Sequence, residues 1–231
     1  MTKVPPGISG RAPSFNSADV TLETLANEVA LLSLGDFEPL DYKINLDAFS
    51  NDISKFKDDW VDYLPRTDRP NNRKGLALTN YPGWPHNYSP SLAEAVMKLE
   101  HLPKETDFNE RTKLYHECPS LNFLEEWQPL GRTFLVKSDI GGYFVPHRDH
   151  PSMPRETFRL IAFLNNCGPT DYDWIMDERK VSIEPGRVYY VNTRKTHRTI
   201  SWVNDSIHLI LNVPFTPANV SKVLAHLLHR H

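Results

Sequence analysis

The sequence predicts an α+β fold, in which a helical N-terminal half feeds a β-rich C-terminal half. Three observations carry that reading. Apolar residues recur at helical spacing early in the chain, at Leu22, Leu25, Val29 and Leu32 and again at Phe49, Ile53, Phe56 and Trp60. From Arg132 onward, short runs of β-forming residues follow one another with turn signals between them, the pattern of a sandwich or small barrel. Nineteen prolines against ten glycines favour ordered turns and extended segments over long helices.

Residues 1–16, with Pro5, Pro6, Gly7, Gly10 and Pro13, read as a flexible arm ahead of a single domain over 17–231. Ser17 or Asp19 caps the first helix, which ends near Gly35. Leu40 to Ile44 alternates as a short strand, and a second helix runs from about Leu46 to Tyr63, stopped by Pro65. Lys74 to Thr79 is a strand closed by the turn Asn80-Tyr81-Pro82-Gly83, and Ser91 to Leu99 is a third helix. These elements make a helical layer over about 17–130. The β core, about 131–215, contains strands at Arg132–Lys137, Phe158–Asn165, Val181–Glu184, Arg187–Asn192, Thr199–Val203 and Ile207–Val213, with Gly141–His147 leading into the ligand loop. Residues 218–231 form an amphipathic helix with Val220, Val223, Leu224, Leu227 and Leu228 inward.

Bulk properties narrow the function classes. A chain of 231 residues can bury one good core. Its net charge of −3 leaves no basic footprint for nucleic acid or an anionic membrane. No apolar run approaches the roughly 20 residues that cross a bilayer. Cys118 and Cys167 make neither a disulfide framework nor a CxxC site, and are read as inert, buried thiols in a cytoplasmic protein. No secretory leader is legible at Met1-Thr2-Lys3-Val4-Pro5-Pro6.

The residues with the clearest chemistry are His147, Asp149 and His197, in the contexts Pro146-His147-Arg148-Asp149 and Lys195-Thr196-His197-Arg198. Two imidazoles and one carboxylate hold Fe(II) on one face and leave the other open. In extended backbone, residues i and i+2 share a side, so His147 and Asp149 can grip one ion while Arg148 faces away. His197 follows Asp149 by 48 residues, enough for several strands to bring the chain back.

The order His147-Arg148-Asp149, Arg159 to Leu164, Trp174-Ile175-Met176-Asp177, Glu184-Pro185-Gly186 through Asn192, and then His197 resembles the jelly-roll (cupin) core of 2-oxoglutarate-dependent Fe(II) oxygenases. It is most similar to the aspartyl/asparaginyl β-hydroxylase and free proline hydroxylase branch, over roughly residues 132–215. The resemblance implies a double-stranded β-helix with N-terminal helices packed on it. It also implies Fe(II) held by His147, Asp149 and His197, 2-oxoglutarate chelating that ion through its keto acid end, and O₂ consumed to hydroxylate a C–H bond with release of succinate and CO₂. The implied substrate is an amino acid, free or within a peptide or protein.

The far carboxylate of 2-oxoglutarate needs a cation, best a bidentate one. The chain departs from the branch here, since Ser206 stands where the family carries an Arg beyond the distal His. Arg159 matches a second cosubstrate-binding Arg and is the first candidate. Ser206 and His208, which share a strand face with Ile210 and Asn212, are uncharged candidates, and Lys137 and Arg198 are weaker ones. The departure keeps open a cupin metalloenzyme that does not use 2-oxoglutarate, and a non-catalytic metal-binding jelly roll. Tyr143, Phe144 and His150 flank the ligand loop and are weak candidates for contacting substrate. Arg66, Arg69, Arg73 and Lys74 surround a proline-rich turn; they could recognise a carboxylate, but are read as a solvated loop. His226, His229 and His231 are read as surface residues of the last helix.

Overall fold

The computed structural model describes residues 22–63, 72–86, 92–149 and 156–228. The arm over 1–16, the cap at Ser17 or Asp19, and Arg66, Arg69, His150, His229 and His231 lie outside the described residues. The N-terminal half contributes α1 (Leu22–Leu32), β1 (Phe37–Lys43), α2 (Leu46–Ile53), β2 (Val61–Asp62), β3 (Arg73–Ala77), β4 (Thr79–Asn80), α3 (Leu92–Leu99), β5 (Glu110–Arg111) and α4 (Lys113–Glu117). The C-terminal half contributes β6 (Phe134–Ser138), β7 (Tyr143–His147), β8 (Thr157–Phe163), β9 (Tyr172–Met176), β10 (Arg179–Lys180), β11 (Arg187–Val191), β12 (His197–Ser201) and β13 (Ser206–Pro214), followed by α5 (Pro217–Leu228).

From β6 onward the strands alternate between two antiparallel sheets, apart from the β9–β10 hairpin within the smaller one, which is the jelly roll the sequence predicts. The larger sheet has the order β1-β11-β8-β13-β6-β3-β2 and the smaller β10-β9-β12-β7. The N-terminal half is therefore more than a helical layer, since β1 borders one edge of the larger sheet and β3 with β2 extend the other.

Strand alternation divides the larger sheet chemically. Its outer face carries Phe158, Leu160 and Ala162 of β8, Val188 and Tyr190 of β11, and Ile207, Leu209, Leu211 and Val213 of β13. These pack against residues from the helical segments, among them Leu31, Phe49, Leu121, Trp127 and Val223. The inner side holds a second cluster of Ile161, Phe163, Tyr172, Trp174, Met176, Tyr189 and Val191. A third cluster joins Tyr63, Phe134, Val136 and Ile210, with Phe144 against them. At about 1.5–3 kcal/mol for each fully buried large apolar side chain, the outer face supplies much of the stability.

Local chemistry sets the element ends. Asn45 Oδ1 accepts the Ala48 N–H at 3.0 Å and Asp47 sits in the first turn of α2, both favourable at a helix N-terminus. The helix expected over 46–63 stops at Ile53 and tightens into a 3₁₀ turn at Ser54–Phe56, before the chain extends into β2. Gly186 turns the chain into β11 at φ +83°, where a Cβ would lie 2.7 Å from the Ile44 carbonyl oxygen, so glycine is required there. Residues 181–184, expected as a strand, form none; Ile183 is buried in the inner cluster instead, and the Glu184 N–H donates to the Tyr189 hydroxyl. Strand β9 was not among the expected elements, although Tyr172-Asp173-Trp174-Ile175-Met176 alternates in and out. His226 is not a free surface residue, for its ring packs 3.9 Å from Tyr42. Cys118 and Cys167 are both buried, and burial pushes the Cys118 thiol up to about 11.

Candidate metal centre

His147 ends β7 and His197 begins β12, and the two are direct cross-strand partners in the smaller sheet. The register between these strands slips, because His197 pairs with His147 while Thr199, two residues on, pairs with Phe144, three residues back. The extra residue is a β-bulge beside Pro146, which has no N–H to give to a ladder. The bulge lets Phe144 and His147, an odd number of residues apart, both face the inside.

The imidazole rings lie 4.2 Å apart, and His147 Nε2 is 3.8 Å from Asp149 Oδ1. One donor atom from each of His147, Asp149 and His197 lies within 4.8 Å of the others, a set that could hold a metal ion. Each imidazole is oriented the same way. His147 Nδ1 faces the Val145 carbonyl at 2.7 Å and His197 Nδ1 faces the Lys195 carbonyl at 3.0 Å. A carbonyl only accepts, so each Nδ1 carries the proton and each Nε2 lone pair is left for a cation. Burial holds His197 below the usual histidine range despite the attraction of Asp149, which keeps it a neutral ligand. The ring is fixed by Trp174, stacked on it at 5.4 Å and 2°.

Asp149 is tied down from two sides. Its N–H donates to the Thr193 carbonyl at 2.9 Å, and its Oδ2 lies 2.5 Å from Arg159 Nη1. That contact is an ion pair without hydrogen-bond alignment, so the buried Oδ2 has no hydrogen-bond partner among the described residues. Burial raises the carboxyl, but Arg159, then His197, the Thr193 contact and His147 outweigh it and hold Asp149 below the ordinary carboxylate range. Two unprotonated Nε2 atoms and a charged carboxylate with lone pairs to spare fit a divalent transition metal.

The other candidates fall in different places. Arg159 faces inward, donates from Nε to Asn212 Oδ1 at 3.1 Å, and lies 3.8 Å from Glu105, so its guanidinium is built into the support of Asp149. Glu105 in turn takes Arg132 Nε at 2.9 Å. Ser206 is fully buried and engaged with Ser201 Oγ and the Asn166 carbonyl, both at 2.7 Å. His208 faces inward among Phe163, Tyr172 and Trp174, and burial pushes it down to about 3. Lys137 and Arg198 point away from the triad by strand alternation. Lys137 lies over the Trp60 ring and pairs with Asp205 at 3.2 Å, and Arg198 pairs with Glu178 at 3.0 Å. Phe144 lines the interior, its ring 6.2 Å from His147, while Tyr143 alternates to the other face opposite Ile200.

Sequence reasoning set Arg73 aside as part of a solvated loop. It does not sit in a solvated loop: it begins β3, is 4% exposed, and stands over the Phe144 ring at 4.2 Å. The parity of β3, with exposed Lys74 and core Leu76 on the opposite face, was the available signal.

Fold and site together define a jelly roll with a two-histidine, one-carboxylate cluster at the junction of adjacent strands. No family model matches the chain, and no curated protein matches it. Among solved structures, it is similar to a 2OG-Fe(II) oxygenase family oxidoreductase from Burkholderia pseudomallei, at TM-score 0.41 and 11% identity over 84% of this chain and 90% of that one. It is also similar to YcfD, a ribosomal oxygenase from Escherichia coli in complex with cobalt and succinic acid, at TM-score 0.29 and 17% identity over 41% and 26% of the two chains. KdgF from Halomonas sp. aligns at TM-score 0.29 and 17% identity over 36% and 67%.

Proposed function

We propose that this chain is a non-haem Fe(II), 2-oxoglutarate-dependent dioxygenase that hydroxylates an amino acid, free or within a peptide or protein. The observation that carries the reading is the cluster of His147, Asp149 and His197, with both Nε2 atoms left unprotonated by backbone carbonyls and the Asp149 carboxylate held charged by Arg159. Bound Fe(II) supplies the coupling of 2-oxoglutarate decarboxylation to C–H hydroxylation by O₂. The chain's residues prepare the place. His147 and His197 present neutral nitrogen, Asp149 presents one charge, and Arg159, braced by Asn212 and Glu105, sets the carboxylate's orientation. Phe144 and Trp174 flank the two imidazoles with aromatic surface. The same reading takes the substrate as a small molecule or peptide and the protein as cytoplasmic; among the described residues no helix is long and apolar enough to cross a membrane.

The test is Fe(II)- and O₂-dependent formation of succinate from 2-oxoglutarate, followed by a screen of amino acids and peptides for stimulated turnover. Succinate formation that disappears in His147→Ala supports the proposal. A second reading, a cupin-type metalloenzyme that does not use 2-oxoglutarate, is favoured by the engagement of Ser206 with Ser201 and of Arg159 with Asp149. It predicts stoichiometric metal and no succinate under any condition.

A further inference from the structure

The interior below the triad contains a cation from outside the jelly-roll strands. Arg73 belongs to β3, at the side of the larger sheet, and its direct cross-strand partner is Ser138 of β6. Directly opposed residues share a face, so the Arg73 and Ser138 side chains both turn inward. Ser138 is 1% exposed, and its Oγ has no hydrogen-bond partner among the described residues. The Arg73 guanidinium lies 4.2 Å over the Phe144 ring, and the same ring is 6.2 Å from that of the metal ligand His147.

A second orphaned hydroxyl lies on the facing sheet. Thr199 is 5% exposed and follows His197 by two residues on the same inward face of β12. Its Oγ1 has no hydrogen-bond partner within normal geometry among the described residues, and the Tyr172 hydroxyl is close enough to be influenced by it. Tyr172 is close enough to Arg73 to feel its charge, and its hydroxyl reaches His208 Nδ1 at 3.4 Å. A buried guanidinium and two unsatisfied hydroxyls on facing sheets are a donor set for a carboxylate.

We propose that Arg73, with Ser138 and Thr199, forms the subsite for the far carboxylate of a metal-chelating keto diacid, supplying from β3 the charge that Ser206 does not supply from β13. The inference rests on the proposed 2-oxoglutarate chemistry and assigns its cosubstrate contact to a residue outside the jelly-roll core. Arg159 is then a positioning residue for Asp149, and Arg73 sets which keto acid is accepted.

The experiment is anaerobic calorimetry on the Fe(II)-loaded protein with two ligands, 2-oxoglutarate and 2-oxovalerate. Both carry the chelating keto acid, and only the first has a far carboxylate. The wild type is expected to bind 2-oxoglutarate about 100-fold tighter than 2-oxovalerate, the scale of a buried charge-assisted pair. Arg73→Gln is expected to remove that preference and leave 2-oxovalerate affinity and metal stoichiometry unchanged, with Arg73→Lys in between. A wild type that does not distinguish the two ligands overturns the proposal without any variant. So does an Arg73→Gln protein that keeps the preference, or an Arg159→Gln protein that loses it while still binding metal and 2-oxovalerate normally. If neither keto acid binds the metal-loaded wild type, the oxygenase reading falls and this subsite with it.

Discussion

Strands β8 and β13 carry two chemistries on their two faces. Outward, Phe158, Leu160 and Ala162 of β8 and Ile207, Leu209, Leu211 and Val213 of β13 are wholly apolar and meet the helical segments. Inward, the same strands present Arg159, Ser206, His208 and Asn212 beside Ile161, Phe163 and Ile210. Every residue of β13 is buried, so burial alone does not separate the faces. What separates them is satisfaction. The outward side chains of these two strands ask for no hydrogen bonds, whereas the inner side holds Asp149 Oδ2, Ser138 Oγ and Thr199 Oγ1 without them among the described residues. Buried polar atoms left unpaired are costly, and these three leave the inner side with polar groups that a bound ligand could satisfy.

The comparison breaks most sharply at the ligands. His197→Ala should abolish stoichiometric Fe(II) binding while far-UV circular dichroism stays native, because the ring contributes to the site and the outer core is untouched. On the opposite face, Leu211→Ala should cost about 2–5 kcal/mol in chemical denaturation and leave metal affinity per folded molecule unchanged. An outer-face substitution that weakens metal binding more than folding would show the faces to be coupled.

The inner face should also make the protein acid-sensitive through His208. Folded, His208 stays neutral down to about 3, whereas unfolded it takes up a proton at its ordinary 6.5. Between those values the unfolded state binds the extra proton, so stability falls as pH drops, by about 1.4 kcal/mol per pH unit below 6.5. Denaturation midpoints measured from pH 7 to 5 should show this slope, and His208→Leu should flatten it. Arg159→Gln should weaken Fe(II) about 10- to 100-fold by loosening Asp149, the usual scale for a residue that orients a ligand, with a titration against a metal indicator as the readout. The smallest effects belong to residues that alternate away: Arg198→Ala and Lys137→Ala should each change stability by less than about 0.5 kcal/mol and leave metal and keto acid affinity as they were.

How much of this was legible follows from what sequence encodes locally. The triad was visible because His-x-Asp in extended backbone fixes a shared side by itself. The bulge at Pro146 that turns Phe144 inward with His147 depends on pairing with β12, which the residues of β7 alone do not state. Arg198 was excludable at once, being the neighbour of an inward ligand on a strand, and Lys137 was excludable by the same parity against Val136. Arg73 was hidden for a different reason. An arginine beside a proline-rich turn looks the same in sequence whether solvent or a second sheet covers it, and the covering comes from β6, β7 and β9, far along the chain. The Arg159 to Glu105 contact likewise joins segments that no local pattern connects.

The central claim, that the inner face is built for one metal and a chelating keto acid, is tested most directly by titrating the anaerobic Fe(II)-loaded protein with 2-oxoglutarate and following the visible iron-to-keto-acid charge-transfer band. The account predicts a saturable band at one equivalent of iron, absent in His197→Ala. Iron bound at one equivalent with no band at any 2-oxoglutarate concentration would contradict it.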